Sequence, residues 1–409
     1  MNTPTLRFKE FSGAWEVKRI NEITSYVDYR GKTPEKSDAG VFLVTAKNIR
    51  FGYIDYETSK EYIPNDAYED VMRRGKPLIG DVLITTEAPC GNVASVDRDD
   101  VALAQRVIKF RGKKELIQNY FLKFYLLSDV FQKSLLEKAS GGTVKGIKGS
   151  VLHKMQVQFP TLPEQTKIAN FLTAIDEKIA QLSQTAQLLT DYKKGVMQQI
   201  FSQQLRFKDD DGREFAEWEE FPLSALGEFK NGINKSKEDF GFGYPFVNLM
   251  DVFGKPSIKN EDFGLVNVSE NEINSYNLLK GDVIFIRSSV KLEGVGETSV
   301  VLEDLKNTVY SGFLIRFREY QNKLDLLYKK YCFHHVEFRN QLLSVSTTSA
   351  NTNINQESLN QLVLRIPSLP EQTKIANFLT AIDDKITHNQ TQLDAMKQYK
   401  SGLLQQMFV

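Results

Sequence analysis

The sequence predicts an α/β (α+β) fold with an internal pseudo-twofold repeat: two globular domains separated by two long helices that pair as an antiparallel coiled coil. Three observations predict it. Residues 162–179 read LPEQTKIANFLTAIDEKI and residues 369–386 read LPEQTKIANFLTAIDDKI, differing only at Glu177 and Asp384. Both stretches open a run whose apolar residues recur in heptads, the signature of a coiled coil. Ahead of each run lies a segment mixing short β-like runs with a helical pattern, which is the mark of a mixed globular domain.

The repeat extends beyond these stretches. At the same shift of 207 residues, Tyr192 matches Tyr399, Gly195 matches Gly402, Pro160 matches Pro367, and IKFR from Ile108 matches IRFR from Ile315. Farther upstream the shift falls by a few residues, so that GDVL at Gly80 aligns with GDVI at Gly281 and Gly52 with Gly254. The module starts also agree, RFKEFSGAW from Arg7 and RFKDDDGREFAEW from Arg206. A duplicated unit with small insertions accounts for this pattern. It divides the chain into a first domain at 1–160, a central repeated helix at 161–205, a second domain at 206–368 and a C-terminal repeated helix at 369–409.

For the helices, Thr161 and Ser368 stand three residues before Glu164 and Glu371, the spacing of a capping box. Pro163 and Pro370 fall in the first turn, where a missing N–H is harmless. The residues expected to pair the helices are Ile168, Leu172, Ile175, Ile179 and Leu182, with Ile375, Leu379, Ile382, Ile386 and Asn389. The seam continues through Leu189, Lys193, Val196 and Ile200, and through Met396, Lys400, Leu403 and Met407. At Lys193 and Lys400 the expectation is that the stems pack while the charged heads reach water. Asn389 has two readings, a polar residue that fixes register or a frayed end facing solvent.

Within the domains, VLITT (82–86) and VIFIR (283–287) read as buried strands behind a Gly-Asp turn, and VIKFR and LIRFR alternate as strands do. Residues 115–139 and 324–345 read as amphipathic helices, each followed by a polar loop, SGGTVKG from Ser140 and STTSANTN from Ser346.

Composition narrows the function. The 52 Lys+Arg balance 52 Asp+Glu, which argues against a free-standing, non-specific nucleic-acid binder. The balance is uneven, however. Residues 1–160 hold 25 basic against 20 acidic side chains, and residues 206–368 hold 19 against 24. Cys90 and Cys332 are the only cysteines, consistent with a reducing cytoplasm, and no apolar run approaches a membrane span. There is no Walker A loop, no G-x-G-x-x-G after a strand, no amino-methyltransferase tetrapeptide and no nuclease triad. His334 and His335, read as lying within a helix, point two ways around it and so make a poor metal pair, while Cys90 reads as a small turn residue. The expectation is a chain without catalytic or metal residues.

At Pro160 and Pro367 the pattern Pro-x-Leu-Pro-Glu-Gln-x-x-Ile-Ala-x-x-Leu closes a variable domain and opens a long helix. In this the chain resembles the specificity subunits of type I restriction–modification systems, over essentially its whole length. YRGKTP from Tyr29 and TAKNIRFGYID from Thr45 are similar to segments common in their recognition domains, whereas the second domain keeps only VNLMDVFG from Val247. The resemblance implies two target-recognition domains, each reading one half of a bipartite site in double-stranded DNA. It implies that the helices set the spacing and dock DNA methyltransferase subunits, two of them, with motor-nuclease subunits joining through those. Chemistry would then reside in the partners of a prokaryotic cytoplasmic complex, using S-adenosylmethionine, ATP and Mg²⁺. The competing expectation is a non-catalytic, two-headed protein-binding scaffold.

Candidate DNA-contacting residues are polar and basic residues of the loops. In the first domain they are Arg30, Lys32, Lys47, Asn48, Arg50, Thr143, Lys145 and Lys148. In the second they are Lys235, Lys237, Arg287, Lys291, Ser349 and Asn351. Arg can bind guanine through two hydrogen bonds and Asn can bind adenine, which suits major-groove readout. Tyr29, Phe51 and Tyr53 are read as core aromatics rather than stacking groups.

Overall fold

The computed structural model describes residues 3–29, 34–143, 145–348 and 351–409. The chain forms two compact units. One runs to Gln184 and takes back Gln390–Val409, and the other is Thr185–Asn389. Each unit therefore holds one globular domain, one half of the central helix and one half of the C-terminal helix.

In the first unit an antiparallel sheet has the order Thr24–Asp28, Val107–Gly112, Val82–Thr86, Cys90–Ser95. Val82–Thr86 is buried along its whole length because both faces are covered. Val82 and Ile84 join a core with Phe110, Phe121 and Phe131. Leu83, pointing the other way, joins a second core with Leu43, Val101 and Leu103, on the side of a small three-stranded sheet. The second unit repeats the plan. Its five-stranded sheet is Gly227–Asn231, Leu314–Glu319, Val283–Ile286, Thr298–Val301, Ser257–Ile258, with Val283 and Phe285 in one core and Ile284 and Ile286 in another.

The repeated Gly-Asp turns act as clamps. Gly80 and Gly281 take φ of +88° and +91°, which glycine tolerates without a steric penalty. The buried carboxylate that follows grips an arginine 30 residues on in the first unit and 36 in the second. Arg111 donates to both oxygens of Asp81 at 2.6 and 2.7 Å, and Arg318 to both of Asp282 at 2.8 and 2.7 Å. Such bidentate, charge-assisted pairs fix the sheet end geometrically.

The expected single helices over 115–139 and 324–345 are each broken. Helices Asn119–Leu127 and Asp129–Lys138 meet at Ser128, and Lys329–Cys332 and Val336–Ser344 meet at His334–His335. Ser128 and His335 are equivalent at the 207-residue shift, and both take extended backbone and cap the second helix. The Ser128 hydroxyl accepts from Phe131 N, and His335 Nδ1 accepts from Phe338 N. The histidine pair is thus a junction, not part of one helix. His334 Nε2 lies 2.8 Å from the Thr298 hydroxyl.

The long helices are Leu162–Phe201 and Leu369–Met407, each about 60 Å long. In the first unit Ile168, Leu172 and Ile175 share a core with Leu403, Leu404, Met407 and Phe408. In the second, Val196, Ile200 and Phe201 share one with Ile375, Leu379 and Ile382. Ile179, Leu182, Ile386 and Asn389 are buried or half-buried as well, so Asn389 is not a frayed, solvent-facing end.

Two expectations about these helices fail. The glutamates do not form the reciprocal capping box, because their carboxylates are taken by arginines at the start of each module. Arg7 donates to both oxygens of Glu164 at 2.7 Å, and Arg206 to both of Glu371 at 3.3 and 2.9 Å. Nor do the lysine heads simply point into water: each side chain is only partly exposed and ends on a carboxylate. Lys193 pairs with Asp383 and Lys400 with Asp176, each at 2.5 Å.

Candidate nucleic-acid interface

The loops that carry the candidate residues are held at one end of each sheet. In the first domain the segment Thr45–Thr58 folds back on itself through Arg50 N to Tyr53 O and Asp55 N to Asn48 O. It is tied to the strand Cys90–Ser95 by Gly52 N to Val93 O and by Asn92 Nδ2 to Ile49 O. The loop after Ser140 is pinned beside it, with Ser140 and Gly146 exchanging backbone bonds and Ile147 N donating to Thr86 O at 2.9 Å. Both loops therefore anchor on the same hairpin.

Position by position, the candidates separate. Lys47, Thr143, Lys145 and Lys148 are exposed. Arg50 is partly exposed but engaged, with Nη2 donating to the Thr58 hydroxyl at 2.8 Å and Nε lying 3.4 Å from Asp55. Asn48 is a correction: it is fully buried and is a structural residue of the turn. Its Oδ1 accepts from Thr45 N and Thr45 Oγ1, and its Nδ2 donates to Asp55 O and Ser59 O, which leaves no amide edge for a base. Arg30 and Lys32 lie outside the described residues. Of the aromatics, only Tyr29 is core, its hydroxyl donating to Gly75 O. Phe51 and Tyr53 are exposed on the same turn as Arg50.

The second domain builds the corresponding end with different residues. Ile354 N donates to Arg287 O at 2.9 Å, the counterpart of the bond between Ile147 and Thr86. Ser288–Ser289 pairs with Thr352–Asn353, bringing Arg287 and the Asn351 turn together. Arg287 is half-buried, and Lys291 and Asn351 are exposed. Lys237 is exposed in a short turn capped by Ser236. Lys235 is mostly buried and held by Glu272 at 2.9 Å, so its charge is already answered. Ser349 lies outside the described residues.

Sequence reasoning passed over the residues that join each domain to its helix. Gln165 is fully buried: its Nε2 donates to Leu116 O and Pro160 O, and its Oε1 accepts from Gln118 N. Gln372 repeats the set with Lys323 O, Pro367 O and Asp325 N. The available signal was the unvarying Glu-Gln pair inside the repeat. Heptad packing does not require it.

Two α/β domains that share a hydrogen-bonded frame, carry unlike loops and are fixed to like helices define a two-headed specificity protein. Comparison with known proteins agrees. The profile of the type I restriction modification DNA specificity domain matches twice, over residues 13–190 and 216–398, and the chain belongs to that family. The chain is 23% identical to the type I restriction enzyme EcoKI specificity subunit of Escherichia coli, covering 88% of this chain and 80% of that protein. It is also 23% identical to the MjaIX specificity subunit of Methanocaldococcus jannaschii, covering 95% and 91%. Among solved structures, the S subunit of the type I restriction–modification system from M. genitalium has the same fold, with a TM-score of 0.60 at 15% identity and coverage of 100% and 99%.

Proposed function

We propose that the chain is the DNA sequence-specificity subunit of a type I restriction–modification complex. Each variable domain, 1–160 and 206–368, reads one half of a bipartite target. The helices at 161–205 and 369–409 pair as an antiparallel coiled coil, set the spacing and dock two DNA methyltransferase subunits, with motor-nuclease subunits joining through them. The observation that carries this reading is the shared frame with unlike loops: Ile147 to Thr86 and Ile354 to Arg287 hold equivalent turns whose side chains differ. One frame presenting two sets of polar groups suits a protein that must read two sequences.

The reaction chemistry belongs to the partners in the cytoplasm, with S-adenosylmethionine for methylation and ATP and Mg²⁺ for translocation and cleavage. Among the described residues no helix is long and apolar enough to cross a membrane. Partner subunits also answer the charge problem, since the acidic second domain gains phosphate contacts from them.

The test is to mix the chain with its methyltransferase subunits and footprint a duplex library. Protection of one split sequence over a scrambled control supports the reading. Equal binding of all duplexes, governed by salt alone, would leave the two-headed protein scaffold as the better account.

A further inference from the structure

At the centre of each sheet end one side chain is exposed within an otherwise buried run. In the first domain it is Arg106, 51% exposed, followed by Val107 and Ile108, which are fully buried. In the second it is Phe313, 59% exposed, between the buried Ser311 and the fully buried Leu314. The two are equivalent at the 207-residue shift, and an equivalent backbone bond reaches the carbonyl of each. Thr86 N donates to Arg106 O and Arg287 N donates to Phe313 O, both at 2.9 Å. Because Thr86 and Arg287 also receive the bonds from Ile147 and Ile354, positions 106 and 313 lie directly beside the loops assigned to DNA.

Neither residue is explained by folding. Arg106 holds φ of +70°, a conformation costly to any residue with a Cβ. Its ionic partner among the described residues, Glu87, lies 3.4 Å away and is itself 46% exposed, so the pair contributes little and exchanges readily for another partner. Phe313 leaves more than half of an aromatic side chain in water.

We infer that Arg106 and Phe313 are specificity-determining residues, Arg106 binding the O6/N7 edge of a guanine in one half-site and Phe313 packing on a thymine methyl in the other. The inference rests on the DNA reading above and deepens it. A forked guanidinium matches the guanine edge through two donors, while a ring offers an apolar surface to a methyl and no donor to the O6/N7 edge of guanine. Equivalent positions with unlike chemistry would then give two domains on one frame different targets.

The experiment selects bound duplexes from a randomised pool, using the chain assembled with its methyltransferase subunits. The unaltered complex must first return a split consensus; a pool with none sinks the DNA reading itself, whatever Arg106 does. Given a consensus, R106G (which removes the guanidinium and suits the backbone) should lose guanine preference about 10-fold at one position of one half-site. R106K, which keeps the charge but not the fork, should lose it too, and F313A should lose thymine preference in the other half alone. Melting curves of each variant verify the fold. The inference is overturned by an unaltered consensus, by a uniform fall in affinity across all sequences, by loss of methyltransferase assembly without a change in consensus, or by an original half-site lacking guanine.

Discussion

Lys400 Nζ lies 2.5 Å from the carboxylate of Asp176, and the same carboxylate accepts from Lys123 Nζ at 2.9 Å. The other unit arranges the node differently: Asp383 pairs with Lys193 and accepts from the Tyr331 hydroxyl at 2.8 Å. Thus Asp176 is ion-paired with two cations, one of them only 8% exposed, whereas Asp383 is ion-paired with Lys193 and acts on Lys330, the counterpart of Lys123, at longer range. Burial pulls the Lys123 ammonium below its usual range, and Asp176 opposes that pull.

Removing Asp176 should therefore do more harm than removing Asp383. D176A strands a buried lysine and should cost about 3 kcal/mol in urea unfolding. D383A frees a more exposed lysine and a neutral hydroxyl, and should cost about 1 kcal/mol. Equal losses, or a larger loss for D383A, would count against this account of the node.

The arginine clasps should behave as buried pairs. R206A leaves Glu371 buried without its main cation, and R7A does the same to Glu164, each costing about 3 kcal/mol. Replacing both partners, as in R7M with E164M, should recover most of that loss. A double variant as unstable as the sum of its single changes would show that the pair is not the unit.

Acid should loosen the second unit. Burial lowers both His334 and His335 to about 4, with Arg339 nearby adding to the effect on His334 and His334 itself adding to that on His335. The folded state thus binds fewer protons than the unfolded one between about 4 and the ordinary 6.5. Stability is full above 6.5 and falls as pH drops through that window, by on the order of 2 kcal/mol per ring at pH 5. H335N keeps a capping side chain but no titrating ring, so its stability should fall less between pH 7 and pH 5. An acid response identical to that of the unaltered chain would exclude His335 as a source.

The spacing proposal makes its own demand. Seven residues inserted into the central helix alone should misregister the seam and lower the melting temperature. The same insertion in both helices should restore pairing and lengthen the spacer of the selected duplexes. An unchanged spacer in the double insertion would remove the helices as its determinant.

The long helices were legible because a 3.5-residue period is local, and Ile168, Ile175 and Leu182 announce it within about four turns. What Glu164 does was not legible, since Arg7 lies 157 residues away and a capping box offered a sufficient local reading. Lys400 was misread for the same reason: an acidic partner on another segment cannot be seen from the seam. The break at Ser128 had a local sign in a Ser-Asp pair ahead of Phe131, but the apolar period ran through it. Loop residues were the hardest. Asn48 and Lys47 are neighbours of equal polarity, and only the closing of the turn by Asp55 and Ser59 buries one of them.

The joint made by Gln165 and Gln372 has an evolutionary consequence. Each amide engages carbonyls and one N–H of the main chain, groups that every amino acid but proline supplies alike. A joint of that kind does not inspect the sequence it receives. Two copies of one coding stretch, each ending in the same indifferent socket, are suited to genetic shuffling, in which one head is replaced while the rest of the gene stays as it is.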